Sequence, residues 1–240
     1  MPVAGVLGRM PHVCCVARSQ QVRARVPNMS LYELKPAFQG LLRPLVRVLA
    51  QCRVTANQVT LAALLLSLAS GLVLYLYPDR PAALLQVPLV CLVRMALNAI
   101  DGMLAREHNL KSDLGAVLNE LGDVLSDAFI YLPFALLYNG ALAPLVVAVV
   151  LLATVSEFVG VVGVQIGASR RYDGPAGKSD RAALFAAMAG VKGLGWLQGD
   201  DGTVFKCLLA LDAVLLVATV INRVRGALGE KAQLDKMGKK

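Results

Sequence analysis

The chain has 240 residues, of which 57% are hydrophobic and 17% are charged, with a net charge of +8. Soluble domains are about half apolar and one quarter charged, so this composition argues against a soluble core and favours a protein embedded in a bilayer. Its five cysteines show no paired metal-ligand spacing, which excludes a zinc signature and a disulfide framework. The basic residues lie between apolar runs and outside any nucleic-acid-binding motif. They indicate anionic lipid and membrane orientation, with no nucleic acid partner.

The first 28 residues contain four arginines, no acidic residue and no periodic pattern. Their apolar stretch at 13–17 is too short for a signal-peptide core. We expect residues 1–28 to be a basic N-terminal extension, either a disordered tail or an annotation extension that precedes a true start at Met29.

Residues 31–51 carry apolar side chains at helical spacing, with Lys35, Arg43 and Arg47 between them. This pattern predicts an amphipathic helix that lies on the membrane surface before the first span.

Six apolar runs follow, each near the 20 or so residues that cross a bilayer. They predict an all-α membrane protein with six transmembrane helices, at 57–77, 82–104, 114–138, 141–166, 182–198 and 204–222. The fifth run is the weakest, because it contains Lys192 and three glycines.

The distribution of positive charge predicts the orientation of these spans. Of the 24 Lys and Arg residues, eight precede the first span, two lie at 105–113, four at 167–181 and six after 222. Because cytoplasmic loops are enriched in Lys and Arg, these 20 residues place both termini in the cytoplasm. We expect a membrane domain at 29–225 and a basic C-terminal tail at 226–240.

Acidic residues occur within or at the ends of the apolar runs, where a carboxylate costs about 2.5–3.5 kcal/mol and usually serves a function. They are Asp101, Glu120, Asp123, Asp127, Glu157 and Asp212. Asn98 and Asp101 share one helical face, and so do Asn119, Asp123 and Asp127. Two adjacent helices can therefore direct hard oxygen ligands, of the kind that Mg²⁺ or Mn²⁺ prefers, into one cavity.

The same segment resembles a known family signature. Residues 98–123 read Asn-x2-Asp-Gly-x2-Ala-Arg-x8-Gly-x3-Asn-x3-Asp. This is similar to the signature of the CDP-alcohol phosphotransferases, which has Asp at all four acidic positions. Every spacing agrees, and identity holds at Asp101, Gly102, Ala105, Arg106, Gly115 and Asp123. Asn57 with Thr60, and Gly177 with Lys178, resemble two further family segments.

The resemblance implies an enzyme that moves a phosphatidyl or related group from CDP-diacylglycerol, or another CDP-linked substrate, to an alcohol and releases CMP. It also implies six spans, a homodimer, and a bacterial cytoplasmic membrane with the site facing the cytoplasm. Gly160, Gly163 and Gly167 would permit close helix contact in such a dimer. A phosphorylated and a plain polyol acceptor both fit. Arg170, Arg171, Lys178 and Arg181 either hold an anionic group or only mark topology.

Site roles follow from the resemblance together with the residue types. Metal at Asp101 and Asp123 would neutralise the diphosphate, and Asp123 would take the proton of the acceptor hydroxyl. Gly102 and Ala105 leave room for the nucleotide, and Arg106 can pair with phosphate. Nucleotide binding is also expected of Asn57, Thr60, Gly115 and Lys178. Asn57 and Thr60 have N-capping of the first span as an alternative role.

Asn98 and Asn119 depart from the family pattern, because the family has aspartate at both positions. An asparagine can ligate a metal through its carbonyl oxygen but brings no charge. One hypothesis is that Glu120 and Asp127 supply the missing charge, so that Glu120→Gln and Asp127→Asn raise the metal concentration needed for activity. The alternatives are a single-metal site, a changed acceptor specificity or an inactive family member.

Two other functional classes remain open at this point. A transporter would also use intramembrane carboxylates, although the sequence shows no internal repeat of the kind that transporters carry. A non-catalytic membrane scaffold would account for Asn98 and Asn119.

Overall fold

A computed structural model describes residues 35–197, 199 and 202–237. Within these residues all regular secondary structure is helical. The elements are α1 (Lys35–Gln51), α2 (Ala56–Leu76), α3 (Pro81–Glu107), α4 (Asp113–Tyr131), a 3₁₀ helix (Leu132–Gly140), α5 (Ala143–Gln165), α6 (Lys178–Gly193) and α7 (Thr203–Met237). The described residues from Ala37 onward form one compact unit. The predicted extension at 1–28 lies outside the described residues, and α7 continues through most of the predicted tail.

Five helical segments of the described chain are long and apolar enough to cross a bilayer. They are α2, α3, α4 together with the 3₁₀ helix, α5 and α7. The predicted all-α, multi-pass membrane architecture is thereby confirmed. Helix α6 has 16 residues and a length of about 24 Å, which is less than the bilayer core of about 30 Å. The count of six spans therefore remains a prediction.

Helix α2 packs against α3 and α4, α3 packs against α6, and α5 packs against α7. Gly71 allows α2 to approach α4 closely, because a Cβ atom at this position would overlap the carbonyl oxygen of Phe129. Phe185 of α6 stacks on Tyr131 with 4.1 Å between ring centroids and meets Phe134 edge-on. These contacts hold α6 inside the main apolar core.

A second, smaller core lies at the other end of α2 and α3, around Val46, Val59, Ile100, Met103 and Leu104. It holds the amphipathic α1 against the first turns of α2 and the last turns of α3. The signature segment 98–106 is therefore packed on one side and leaves its polar residues on the other.

The start of α2 is capped by residues outside the predicted site. The Gln58 N–H donates to Thr55 Oγ1 at 3.3 Å, and the Thr55 N–H donates to Gln58 Oε1 at 2.9 Å. This reciprocal pair is a capping box, which satisfies the exposed amides of the first turn. The N-capping role that the sequence allowed for Asn57 and Thr60 is therefore filled by Thr55 and Gln58.

Candidate active site

Asp101 of α3 is buried and faces the start of α2. Its Oδ2 accepts a hydrogen bond of 2.8 Å from Thr60 Oγ1, and the carboxylate is 4% exposed. Thr60 also donates to the Ala56 carbonyl oxygen, as helical threonines commonly do. The two predicted site residues are thus joined directly.

Asp123 of α4 contacts side chains of α3 and α6. The Asn98 amide nitrogen donates to its Oδ1 at 3.2 Å, and the Lys178 ammonium forms an ion pair with the same oxygen. Arg94 Nη2 donates to the Asp123 backbone oxygen at 3.1 Å. A Cβ on Gly122, the residue before Asp123, would be 3.5 Å from Thr60 Cγ2, so this turn of α4 lies beside the threonine that holds Asp101.

The nucleotide residues predicted from the resemblance surround these carboxylates. Gly115 lies so close to Asn57 that a Cβ on it would be 2.7 Å from Asn57 Oδ1. The Arg106 guanidinium lies beside Gly102, with Nη1 3.1 Å from where a Cβ would stand. Arg106 is exposed, whereas Ala105 and Asn119 are partly buried on α3 and α4. The structure therefore brings the starts of α2, α4 and α6 to the end of α3.

Asp127 lies one turn beyond Asp123 and is held by two buried arginines. Arg94 Nη2 is 2.6 Å from its Oδ1, and Arg181 Nη2 is 3.1 Å from its Oδ2. The side chains of Arg94 and Arg181 are 3% and 0% exposed. Each oxygen of this carboxylate thus has its own cationic partner.

Glu157 of α5 forms ion pairs with three arginines. Its carboxylate oxygens lie 3.3–3.4 Å from guanidinium nitrogens of Arg170, Arg181 and Arg223. Arg170 also reaches Glu120 of α4, with 2.7 Å between Nη2 and Oε2. Carboxylates and guanidiniums therefore form one continuous network behind Asp123.

This network bears on the hypothesis that Glu120 and Asp127 supply charge to a metal. Both carboxylates already have arginine partners, so each would need to leave one to reach an ion near Asp123. The contacts favour an ion-pair role for both. Whether they also ligate a metal stays a prediction.

The loop between α5 and α6 is fastened to α7. Arg171 pairs with Asp173 at 2.7 Å and with Glu230 at 2.9 Å, and the Ala176 N–H donates to Thr219 Oγ1 at 3.0 Å. The ion pair and hydrogen bond to Asp173 raise the pKa of Arg171. The Arg171 guanidinium also packs on Gly226. These contacts hold Arg170 of the loop beside Glu120, and Lys178, the first residue of α6, beside Asp123.

Two of the glycines expected at a dimer interface are used within the chain. A Cβ on Gly160 would be 2.8 Å from the Arg171 carbonyl oxygen, and one on Gly163 would be 3.5 Å from Ala227 Cβ. Gly167 adopts a positive φ of 84° in the turn that follows α5. The small residues thus serve the packing of α5 against its own loop and α7, and give no support to a dimer.

Sequence reasoning missed the contributions of Arg94 and Arg223. Both are almost completely buried, and Arg223 also donates to the Ser156 carbonyl oxygen at 2.5 Å. The signal was present at Arg94, because an arginine in an apolar run is as costly as a carboxylate and needs a partner. Asp212 is also buried, and its Oδ2 has no hydrogen-bond partner among the described residues.

The carboxylates predicted from the sequence to hold a divalent cation are Asp101 and Asp123, together with the amides of Asn98 and Asn119. Across the described residues, no group of three or more His, Cys, Asp or Glu side chains is placed to hold a metal. Asp101 and Asp123 together carry two negative charges, which match one Mg²⁺ or Mn²⁺, and Asn98 and Asn119 can add neutral oxygens. Asn98 meets Asp123 through its amide nitrogen. Ligation would require the carbonyl oxygen of that amide instead.

Comparison with known proteins agrees with this site. The family model of the CDP-alcohol phosphatidyltransferases matches residues 53–223, which include every predicted site residue. The chain belongs to the CDP-alcohol phosphatidyltransferase family. It is therefore a membrane phosphotransferase of phospholipid biosynthesis. This assignment favours an enzyme over the transporter and scaffold alternatives.

Relatives extend the likeness beyond the signature. The chain is 45% identical over 212 residues to the inner membrane protein YnbA of Escherichia coli strain K12, covering 86% of this chain and 100% of YnbA. Its fold is similar to crystal structures of the phosphatidylinositol phosphate synthase PgsA1 of Mycobacterium tuberculosis. The PgsA1 structure with CDP-DAG bound is 22% identical, has a TM-score of 0.63, and covers 77% of this chain and 92% of its own. The PgsA1 complex with manganese and citrate is 23% identical at the same TM-score, covering 77% and 88%.

Proposed function

We propose that this enzyme transfers a phosphatidyl group from a CDP-linked lipid such as CDP-diacylglycerol to an alcohol and releases CMP. The observation that carries the proposal is the convergence of Asp101, Asp123 and Lys178, from three different helices, at the start of α2. The similar fold of PgsA1, which was crystallised with CDP-DAG, supports the choice of donor.

The residues around the two carboxylates have complementary tasks in this reaction. Asn57 and Thr60 offer polar groups to the nucleotide, and Gly102, Ala105 and Gly115 keep the approach to the backbone open. Arg106 and Lys178 bring positive charge to the diphosphate. Asp123 accepts the proton of the acceptor hydroxyl as that oxygen attacks the phosphorus atom, and CMP leaves with the former phosphoanhydride oxygen.

A divalent cation completes the proposal. Asp101 and Asp123, with Asn98 and Asn119, would hold one Mg²⁺ or Mn²⁺, which supplies charge neutralisation for the diphosphate and the leaving group. The manganese complex of PgsA1 supports a divalent cation at this fold. Asn98 would keep Asp123 in place when the cation is absent.

The proposed reaction is tested with purified protein in vesicles that contain CDP-diacylglycerol labelled with ³²P. Addition of Mn²⁺ and an alcohol should release CMP that carries the label if the phosphorus next to cytidine is labelled. If the phosphorus next to diacylglycerol is labelled, the label should appear in a new phospholipid, which mass spectrometry identifies. If the protein neither binds nor turns over CDP-diacylglycerol, or uses only a CDP-linked head group, the proposal is wrong.

We predict that Gly102→Leu abolishes donor binding while the protein still inserts. Arg106 already lies against this glycine, and a leucine would fill the space that the donor and Arg106 share. The measurement is equilibrium binding of radiolabelled CDP-diacylglycerol. Gly229→Leu is the matched control, because Gly229 is an exposed helical glycine with open space around it. Wild-type affinity in Gly102→Leu would show that the segment is not the donor site.

We further propose six crossings, with both termini and the active site in the cytoplasm of a bacterial inner membrane. Arg43 pairs with Glu107, and Glu230 pairs with Arg171, so α1 and the end of α7 lie at the site's end of the bundle. The start of α7 lies at the other end, where Phe205 meets Tyr138 edge-on. The α6 segment thus connects the two ends, although it is short.

Reporter fusions test this topology. A fusion after residue 240 should report the cytoplasm, and one near Asn139 should report the exterior, as the excess of Lys and Arg predicts. A C-terminal reporter on the exterior would reject the six-span topology. The homodimer implied by the family resemblance is a separate proposal, and an active monomer at every protein concentration would contradict it.

A further inference from the structure

We propose that the acceptor is an uncharged polyhydroxy alcohol, recognised by a cluster formed by Glu120, Arg170 and Tyr172. These three residues are called the acceptor cluster below. The inference rests on the proposed function, because the reaction class allows both a phosphorylated and a plain alcohol as the acceptor and the inference selects the plain one. It assigns to Glu120 a role in specificity in place of the metal role that its position on α4 predicted.

The acceptor cluster lies at the edge of the site. Glu120 is three residues, or about one helical turn, from Asp123, and its side chain is 33% exposed. Arg170 contacts Glu120 at 2.7 Å and donates from Nη1 to the Tyr172 hydroxyl at 3.2 Å. The guanidinium also lies 4.7 Å from the centre of the Tyr172 ring, and Tyr172 is 68% exposed. Arg170 thereby ties the exposed tyrosine to a carboxylate beside the catalytic one.

Charge balance behind Asp123 argues against a phosphorylated acceptor. The cations on this side that form ion pairs are Arg94, Arg170, Arg171, Lys178, Arg181 and Arg223, and their carboxylate partners are Glu120, Asp123, Asp127, Glu157, Asp173 and Glu230. The two sets carry equal and opposite charge. A phosphate dianion could bind here only by displacing carboxylates such as Glu120, which would remain nearby and repel it.

The positive charge that these ion pairs leave available suits the diphosphate of the donor. Arg106 has no carboxylate within ion-pair distance among the described residues, and it lies beside Gly102 of the signature. Together with Lys178, once a cation at Asp101 and Asp123 replaces its contact with Asp123, it can offset the diphosphate of a CDP-lipid. Of the cations in the ion pairs behind Asp123, none is then left for a second anion.

The acceptor cluster instead suits hydroxyl groups. The Glu120 carboxylate accepts hydrogen bonds, the Arg170 guanidinium donates them and the Tyr172 hydroxyl does both, so adjacent hydroxyls can be bound without net charge. The exposed Tyr172 ring offers a flat apolar surface to the C–H groups of a polyol. Glycerol and inositol are suitable probes of this chemical class.

The test compares matched acceptors with the full-length protein in vesicles of CDP-diacylglycerol and Mn²⁺. Glycerol is compared with glycerol 3-phosphate, and inositol with inositol 1-phosphate, through the rate of CMP release and the mass of the lipid product. We expect kcat/KM to be at least about tenfold higher for one of the unphosphorylated alcohols than for its phosphate.

Variants of the acceptor cluster distinguish recognition from a structural or metal role. Glu120→Gln should raise KM for the preferred alcohol about tenfold with little change in kcat, in donor affinity or in the Mn²⁺ requirement. Tyr172→Phe should raise KM by less. Asp235→Asn, which removes an exposed carboxylate from an ion pair with Lys231, is the control and should leave all of these values unchanged.

The outcomes separate this inference from the proposed function. Transfer to the phosphorylated alcohols alone, or transfer to none of the four, overturns the assignment of an uncharged polyol while donor binding still upholds the donor site. A Glu120→Gln enzyme with an unchanged KM, or with a raised Mn²⁺ requirement, overturns the role of Glu120. Failure to bind CDP-diacylglycerol counts against the proposed function itself.

Discussion

Replacement of Asp123 by asparagine is expected to remove transferase activity at every metal concentration, with a loss of at least about a thousandfold. Loss of a general base alone costs about 10²–10⁴ in rate, and this carboxylate would also be one of only two charged metal ligands. It further anchors Lys178 and Asn98, so the amide would disturb both partners. The measurement is kcat for CMP release across a wide range of Mg²⁺ and Mn²⁺.

The matched control for this variant is Asp113→Asn, because Asp113 is an exposed aspartate in the first turn of the same helix. It should retain activity and metal dependence. Binding of CDP-diacylglycerol to Asp123→Asn separates chemistry from folding, since a folded protein still presents Asn57, Thr60 and Arg106. Recovery of activity at high metal concentration would show that Asp123 acts as a ligand only and that the base lies elsewhere.

The central geometry of the site could be predicted from the sequence because it depends on helical spacing alone. Asp101 and Asp123 each occupy a polar face in an apolar run, and the short loop between α3 and α4 brings these faces to the same end of the bundle. The structure agrees, and it adds Thr60 of α2 as the direct partner of Asp101. Local periodicity is enough for such a prediction, because neighbouring helices in a bundle must share an end.

Partners that are distant in sequence could not be predicted in the same way. Arg94 and Asp127 are 33 positions apart, and Arg223 reaches Glu157 from the last helix. Nothing in the periodicity says which buried arginine meets which carboxylate, because that choice depends on how α3, α5, α6 and α7 are rotated against one another. Capping of α2 was likewise open, since Thr55, Asn57 and Thr60 all suit the start of a helix.

The second large effect is expected for Asp127→Asn, which should destabilise the folded protein by about 3–5 kcal/mol while leaving its metal requirement unchanged. Arg94 and Arg181 both depend on this carboxylate, and they are almost fully buried. An amide of the same shape leaves Arg94 with no carboxylate partner in the described part of the chain and Arg181 with only its 3.4 Å contact to Glu157. This is the costly way to break a buried ion pair. The expected result is a lower midpoint of thermal unfolding in detergent, with normal Mn²⁺ dependence of the protein that remains folded.

Asp212→Asn is the control for Asp127→Asn, because Asp212 is equally buried at 6% exposure but its Oδ2 has no hydrogen-bond partner among the described residues. Loss of that charge should cost little. Adding Arg94→Met to Asp127→Asn should restore part of the lost stability, since the uncompensated guanidinium of Arg94 is then gone. The alternative, in which Asp127 supplies charge to a metal, predicts the reverse pattern: near-normal unfolding, a raised Mn²⁺ requirement and no rescue by Arg94→Met. The two readouts therefore decide whether Asp127 stabilises the helix bundle or binds the cation.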